Sequence, residues 1–200
     1  MKTSKINLLS PLECKAMCEY FEEEKEKFKI STENGEAYIS AYESNLEKDF
    51  NDVHQFLEEK ITKKILCSLP YKFYSISVKK SFGCRYTTTT SPSMPFHYDG
   101  DDLTILIYLN DDFEGGGTSF PLIKKVFNVD DVGVGNAIIF PGLNIKSWHA
   151  ALPITEGTRY TISVRLIKNN IFYKLINILR IFILMPLTFL FNKYPTLYTK

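Results

Sequence analysis

Between Tyr74 and Lys168 the chain reads as a series of short strands separated by clusters of turn-forming residues. Apolar and polar side chains alternate from Tyr74 to Lys79, which is the two-residue period of a β-strand. No helical pattern interrupts the series, and strands at this spacing indicate a sandwich or barrel. The turn clusters are Gly100-Asp101-Asp102, Asn110-Asp111-Asp112, Gly115-Gly116-Gly117, Gly133-Val134-Gly135-Asn136 and Glu156-Gly157. The sequence therefore predicts a β core over residues 71–168.

Residues 1–70 are predicted to form a helical cover for this core. Ser10-Pro11-Leu12-Glu13 combines an N-cap serine, a proline at the first helical position and a glutamate three residues after the cap, so a helix should run from there to about Glu24. A second helix is expected from Asp52 to Leu66, because its apolar residues recur every four positions. The overall prediction is an α+β fold that is mainly β.

Composition limits the classes of function and compartment. The formal charge is +1, which argues against a surface dominated by nucleic-acid binding, and 44% hydrophobic residues suit a folded domain. The four cysteines form no C-x-x-C pair, so we expect reduced thiols and neither disulfides nor a zinc site. The first residues contain too short an apolar stretch for a secretory signal. A cytoplasmic catalytic domain is expected.

Three residues in the predicted core have the types that bind a transition metal. His97 and Asp99 lie two residues apart just before the apolar run Leu103–Leu109, and on a strand such residues point to the same face. His149 follows a second apolar run, Ala137–Phe140. Two imidazoles and one carboxylate on a β scaffold form the facial triad of non-haem Fe(II) sites. The third histidine, His54, lies on the predicted second helix without an acidic or imidazole partner, and we do not expect it to bind metal.

An arginine beyond the last of these residues suggests an anion site. Polar and apolar residues alternate from Arg159 to Arg165, so a strand here would have Arg159, Thr161 and Ser163 on one face. A buried guanidinium there would need an anionic partner, and a dicarboxylate cosubstrate bound to the iron would provide one.

With these residues in place, the chain resembles the Fe(II)/2-oxoglutarate-dependent dioxygenases, specifically their prolyl 4-hydroxylase-like branch. The resemblance covers about residues 74–168, and Leu9–Cys14 also resembles the first helix of that branch. The matching motifs, in family order, are His97-Tyr98-Asp99-Gly100, Leu106-Ile107-Tyr108-Leu109-Asn110, Phe113–Phe120, Gly135–Pro141, Trp148-His149 and Gly157-Thr158-Arg159-Tyr160.

The resemblance implies a double-stranded β-helix, or jelly roll, that holds Fe(II) through His97, Asp99 and His149. It implies that Arg159 binds the distal carboxylate of 2-oxoglutarate, with help from Tyr108 and from an upstream tyrosine for which Tyr86 is the candidate. The implied reaction uses dioxygen and converts 2-oxoglutarate to succinate and carbon dioxide while a C–H bond is hydroxylated, and the resemblance also implies ascorbate as a cofactor. The family's default substrate is a prolyl residue in a peptide or protein.

Several other functions remain open at this point. Free amino acids or other small molecules are alternative substrates within the branch. Asp99 argues against a halogenase, because a halogenase of this family lacks a carboxylate ligand at that position. A nucleic-acid demethylase is suggested by the R-x-x-x-x-x-R spacing of Arg159 and Arg165, but the short interval from His149 to Arg159 and the near-neutral charge oppose it. A non-catalytic jelly-roll binding module would have little reason to keep all three ligands and the basic anchor.

Residues 169–200 form an apolar tail beyond the resemblance. Ile171–Phe191 is long enough for a span of about 20 residues, but Lys174, Asn177 and Arg180 interrupt it, and an arginine in a span costs roughly 2.5 to 3.5 kcal/mol. These polar residues recur every three positions, which predicts an interfacial helix with a basic face. The alternatives are docking on the core, a dimer interface and, third, a transmembrane span.

Overall fold

The computed structural model describes residues 4–30, 42–66 and 76–168, together with five separate positions in the tail, Ile178, Leu179, Phe182, Ile183 and Pro186. The helices are α1 (Pro11–Glu23), α2 (Leu46–Asp49), α3 (Asn51–Ile61) and α4 (Val129–Val132). The strands are β1 (Ser4–Asn7), β2 (Lys29–Ile30), β3 (Tyr42–Asn45), β4 (Ile76–Thr87), β5 (Met94–His97), β6 (Leu103–Tyr108), β7 (Phe113–Gly115), β8 (Thr118–Phe120), β9 (Lys125–Phe127), β10 (Asn136–Phe140), β11 (His149–Ala151) and β12 (Ile154–Lys168).

The strands form two antiparallel sheets. The larger has the order β1-β10-β6-β12-β4-β3-β2, with β7 paired to the start of β12, and the smaller has the order β5-β11-β8-β9. The predicted β core is therefore present. The run is not free of helix, however, because α4 and short 3-10 turns at Pro121–Ile123 and Ile145–Ser147 lie between strands.

The N-terminal segment is more than a helical cover, because it supplies three strands of the larger sheet. β1 pairs with β10, and β2 and β3 extend the sheet beyond β4. Only one of the four β1 residues is even partly buried, so this strand carries no alternating pattern by which the sequence could reveal it. The position of β3 matters for function, because it places an acidic residue beside β4.

Both predicted N-terminal helices are present. Helix α1 begins after Ser10 with the expected capping box, and α3 begins at Asn51 and continues into a π-helical turn at Thr62–Leu66. Their buried side chains pack with the aromatic group Phe21, Phe28 and Phe50 against one face of the larger sheet. Apolar burial of this kind is the main source of stability in the fold.

Strand β12 separates an apolar from a polar side of the larger sheet. Ile162, Val164 and Leu166 are buried in the core beneath the helices. The alternate residues Arg159, Thr161, Ser163 and Arg165 line a cavity between the sheets. A strand buried on both faces is usually apolar throughout. The charged residues of β12 thus need specific partners inside the protein.

In the tail, the structure describes Ile178, Leu179, Phe182, Ile183 and Pro186. The described positions are helical, and the side chains of Ile178, Leu179, Phe182 and Ile183 are 51 to 74% exposed. The remaining residues on which the interfacial-helix prediction depends lie outside the described part of the chain. Within the described part, no helix has both the length and the apolar character that a membrane crossing requires. Cys14, Cys18 and Cys84 are free thiols in this structure, and Cys67 lies outside the described residues.

Candidate active site

The three predicted metal ligands come together between β5 and β11. His97 ends β5, His149 begins β11, and the two residues are direct partners in the strand register. Oδ1 of Asp99 lies 3.4 Å from Nε2 of His97 and 3.6 Å from Nε2 of His149. Asp99 lies beyond the end of β5. The alternation of side chains along a strand, from which we predicted that His97 and Asp99 share a face, is therefore not what brings Asp99 beside His97. The loop after β5 turns its carboxylate toward the imidazoles.

Backbone contacts determine which nitrogen of each imidazole faces the shared point. Nδ1 of His97 lies 2.8 Å from the carbonyl oxygen of Pro95, and Nδ1 of His149 lies 2.8 Å from that of Ser147. Each Nδ1–H therefore donates to a carbonyl, which leaves the lone pair of each Nε2 for a metal. Burial lowers the pKa of His97 to about 4 and that of His149 well below its usual value. Both rings are thus in the neutral form that binds metal ions.

The two oxygens of the Asp99 carboxylate have different surroundings. Oδ2 accepts hydrogen bonds from the hydroxyl of Thr104 and from the guanidinium of Arg165. Oδ1 is buried and has no hydrogen-bond donor among the described residues. An unsatisfied buried carboxylate oxygen is costly unless a cation binds it. Together with the two Nε2 lone pairs, it forms a donor set that suits Fe(II).

Arg165 is a residue of this site for which the sequence predicted no role, except as half of a demethylase-like arginine spacing. Its Nη1 donates to Thr104 Oγ1 at 3.0 Å as well as contacting Asp99. The pairing of β12 with β4 shifts register between Arg165 and Leu166, and such irregularities re-aim side chains. One feature of the sequence could have placed Arg165 in this site. The side chains of a strand alternate between its two faces, so Arg165 lies on the same face of β12 as Arg159.

Arg159 lies at the other end of the same cavity. It is 1% exposed, and Nη1 and Nη2 donate to the carbonyl of Gly117 and to Oγ1 of Thr118 at 3.3 and 3.2 Å. Its buried Nε has no acceptor among the described residues. The guanidinium carbon lies 5.1 and 5.4 Å from the ring centres of Tyr86 and Tyr108. A buried guanidinium without a carboxylate partner and with an unmet donor is suited to an anionic ligand.

The two predicted cosubstrate tyrosines have different surroundings. The Tyr108 hydroxyl donates to the carbonyl of Phe127 at 3.1 Å and lies 2.8 Å from Thr118 Oγ1. The hydroxyl proton of Tyr108 is therefore used in the hydrogen bond to Phe127. Through its contact with Thr118, Tyr108 also positions a residue that accepts a hydrogen bond from Arg159. Tyr86 lines the cavity, and burial raises the pKa of its phenol well above the usual value. The Tyr86 phenol therefore stays protonated where it lines the cavity.

The glycine-rich turn between β7 and β8 serves the packing of the chain itself. Gly115, Gly116 and Gly117 all have positive φ, a conformation that favours glycine. A Cβ at Gly115 would lie 2.8 Å from the carbonyl oxygen of Pro153, and one at Gly117 would lie 2.4 Å from the side chain of Asn128. These contacts explain the glycines without substrate, and the carbonyl of Gly117 also holds Arg159.

Comparison with solved structures identifies the fold. The chain is 21% identical to a viral collagen prolyl hydroxylase from Paramecium bursaria Chlorella virus-1, solved as its 2OG complex, with a TM-score of 0.62 over 83% of this chain and 96% of the other. A prolyl hydroxylase from Trichoplax adhaerens, in complex with a hypoxia-inducible-factor oxygen degradation domain peptide, is 17% identical, with a TM-score of 0.64 over 82% and 83%.

A third solved structure that is similar to the chain belongs to an enzyme with a different activity. The non-haem α-ketoglutarate-dependent carbocyclase of nogalamycin biosynthesis is 14% identical to the chain, with a TM-score of 0.51 over 82% of this chain and 78% of the other. No protein-family profile matches the sequence, and neither does any curated protein. At these identities the comparisons establish the jelly-roll fold of the 2-oxoglutarate oxygenases.

Proposed function

We propose that this chain is an Fe(II)- and 2-oxoglutarate-dependent dioxygenase that hydroxylates a C–H bond and releases succinate and carbon dioxide. One observation carries the proposal. One cavity is lined by His97 and His149, whose neutral imidazoles face the unsatisfied Oδ1 of Asp99, and by the buried guanidinium of Arg159, which has an unmet donor. The first fits a divalent metal and the second fits a carboxylate, which are the two parts of this cofactor system.

In this proposal His97, Asp99 and His149 hold the iron. When bound, the iron and 2-oxoglutarate activate dioxygen, with ascorbate as the reductant that keeps the metal in its Fe(II) state. Arg159 binds the distal carboxylate of 2-oxoglutarate, Tyr86 donates a hydrogen bond to it, and Tyr108 positions Thr118 beside Arg159. The buried inner face of β12 keeps water away from these charged contacts, which strengthens them.

We propose a prolyl residue in a peptide or protein as the substrate. Two neighbours in the fold are prolyl hydroxylases, and one of them was solved with a peptide bound. The alternative is a free amino acid or another small molecule, and the carbocyclase among the neighbours supports that breadth. The demethylase alternative loses its main support, because the contact of Arg165 with Asp99 accounts for the arginine spacing without a nucleic acid.

The proposal extends to the parts of the chain around the site. Residues 71–168 form most of the catalytic core, and residues 1–70 contribute the covering helices and three strands of the larger sheet. The tail, residues 169–200, associates with a membrane surface or forms a dimer contact, and the protein works in the reducing environment of the cytoplasm. The exposed apolar side chains at Ile178, Leu179, Phe182 and Ile183 support an external contact for the tail.

The test is a turnover assay on purified protein with Fe(II), 2-oxoglutarate, ascorbate and candidate prolyl peptides. We expect Fe(II)-dependent succinate, formed slowly without substrate, and a mass gain of one oxygen on one residue of an accepted peptide. His97→Ala and His149→Ala should abolish both signals, whereas His54→Ala should keep them. Wild-type iron affinity and turnover in both ligand variants would show that the metal assignment is wrong.

A further inference from the structure

Glu43 is an acidic residue of the cavity that the proposed iron and cosubstrate sites do not use. It lies on β3, opposite Cys84 of β4 in the strand register, and its side chain lines the same cavity as His97 and Arg165. Its hydrogen bond among the described residues comes from the Cys84 thiol, with Sγ 3.8 Å from Oε1. A thiol is a weak donor, so this contact satisfies little of a carboxylate's capacity.

The cations around Glu43 are directed elsewhere. Arg165 contacts Asp99 and Thr104, and Arg159 contacts Gly117 and Thr118. The ammonium of Lys80 lies over the ring of Phe82, 5.4 Å from its centre. Among the residues that the structure describes, Glu43 forms no ion pair. Burial raises the pKa of its carboxyl group, and this effect outweighs the opposing effect of the nearby charges, of which Arg165 is the largest.

Neither the metal nor the cosubstrate satisfies Glu43. The ligand atoms that lie within 4.8 Å of one another belong to His97, Asp99 and His149, and Glu43 is outside this group. A dicarboxylate cosubstrate is itself an anion and would repel the Glu43 carboxylate. In the proposed reaction, the other molecule that must reach this cavity is the substrate that is oxidised.

We propose that Glu43 is a specificity-determining residue that accepts hydrogen bonds from a cationic N–H group of the primary substrate, either an ammonium or a guanidinium. The proposal rests on the proposed function and narrows its substrate class. The cation lies close to the carbon that is oxidised, since Glu43 and the ligand His97 line one cavity. Free amino acids satisfy this requirement with their own ammonium group, and peptides satisfy it with a basic residue or a free amino terminus beside the target.

The experiment measures binding to protein loaded with Mn(II) and 2-oxoglutarate, which does not turn over. The probes are matched pairs that differ in one positive charge: L-proline and N-acetyl-L-proline, L-lysine and Nε-acetyl-L-lysine, and acetyl-Gly-Pro-Lys-amide and its norleucine counterpart. Wild-type protein should bind the cationic member of at least one pair about tenfold or more tightly, because a charge-assisted hydrogen bond is then made inside the protein. The pair that shows the preference identifies the source of the cation.

Variants of Glu43 separate this role from general folding. Glu43→Gln keeps the shape, removes the charge and should reduce the preference to about twofold or less. Glu43→Asp keeps the charge and should retain part of the preference, which provides a second measurement if the glutamine variant does not fold. The control is Glu47→Gln, which removes an exposed carboxylate four residues away and should keep the preference in full.

Two results would overturn the proposal: a wild-type protein without preference in any pair, or a Glu43→Gln variant that keeps it. Succinate formation by the Fe(II)-loaded wild type is measured in parallel. Absence of succinate would count against the proposed dioxygenase, whereas the charge preference is read from binding alone. The two failures are therefore distinguishable.

Discussion

The guanidinium of Arg165 pairs with Oδ2 of Asp99 and leaves Oδ1 to face the two imidazoles. The same strand carries Arg159 six residues earlier on the same face. Strand β12 therefore connects the orientation of the proposed metal ligand to the proposed cosubstrate anchor. A single rigid strand of this kind can hold two parts of a site in a constant relationship.

The first prediction concerns this ion pair. Arg165→Met leaves the buried Asp99 without its cation, so the metal-free protein should lose about 3 to 5 kcal/mol of unfolding free energy. Added Mn(II) should recover more stability in the variant than in the wild type, because the metal then neutralises Asp99. Thermal melting with and without Mn(II) measures both effects. Lys125→Met, which removes an exposed cation, is the control, and equal Mn(II) effects in all three proteins would contradict the prediction.

The second prediction uses the chain's single tryptophan as a metal reporter. Trp148 is fully buried, precedes His149 and stacks on Phe96, which precedes His97, with ring centres 4.5 Å apart. Binding of paramagnetic Co(II) should therefore quench its fluorescence. His97→Ala should weaken Co(II) binding by more than the roughly 10- to 100-fold that loss of an outer-sphere partner costs.

The control for the metal titration is His54→Ala. The His54 imidazole lies on α3, with Nδ1 2.8 Å from Ser81 Oγ, so its removal should leave the Co(II) affinity as in the wild type. Equal affinities for the His97 and His54 variants would mean that Co(II) binds somewhere else.

The third prediction concerns the anion site. Arg159→Ala should weaken 2-oxoglutarate binding to Mn(II)-loaded protein by roughly 2 to 5 kcal/mol, since it truncates one partner of a buried charge pair. Mn(II) should still bind. Arg85→Ala is the matched control, because Arg85 pairs with Glu22 outside the cavity. Calorimetric titration can measure both ligands, and an unchanged 2-oxoglutarate affinity would remove Arg159 from the proposed role.

The fourth prediction concerns the pH dependence of stability. Glu13 accepts from Lys60 at 2.6 Å, which connects α1 to α3 and is the main reason that its pKa falls to about 2. Because the folded pKa is below the unfolded value, this contribution is present above about pH 4.5 and is lost as the pH falls toward 2. Both side chains are 29% exposed, so we expect only about 1 kcal/mol at neutral pH.

Urea unfolding of wild type and Glu13→Gln at several pH values provides the measurement. The stability difference should shrink as the pH falls below 4.5. Glu19→Gln removes a carboxylate whose contact with Lys15 is long and largely exposed, and it should change stability by less than about 0.5 kcal/mol. A difference in unfolding free energy between wild type and Glu13→Gln that stays constant at all pH values would contradict the predicted dependence of stability on the Glu13 pKa.

The sequence contained enough to predict the β core and to bring His97, Asp99 and His149 to one place, because histidine is rare in this chain and the three residues flank apolar runs. Arg165 and Glu43 could not be assigned in the same way. Their surroundings depend on strand pairings between distant residues, Arg165 with Thr104 and Glu43 with Cys84. Register across such separations follows from packing of the whole sheet, which local patterns do not encode.

The last prediction concerns the tail. The residues described there are helical, and the apolar side chains of Ile178, Leu179, Phe182 and Ile183 are exposed. The three-residue spacing of Lys174, Asn177 and Arg180 in the sequence predicts a basic side opposite these apolar residues, and that side would contact anionic headgroups while the apolar side enters the membrane surface. Full-length protein should therefore sediment with anionic vesicles, and more weakly with neutral ones or at high salt.

Two variants make that measurement specific to the tail. A chain ending at Lys168 should stay in the supernatant and keep its turnover, because the proposed site lies wholly before that residue. Lys174→Gln with Arg180→Gln should weaken sedimentation while the apolar side is kept, whereas Lys124→Gln with Lys125→Gln removes two exposed charges from the core and should not. Full-length protein that remains in the supernatant as a dimer would assign the exposed apolar residues to an interface between copies of the chain, because burial there would remove the same surface from water.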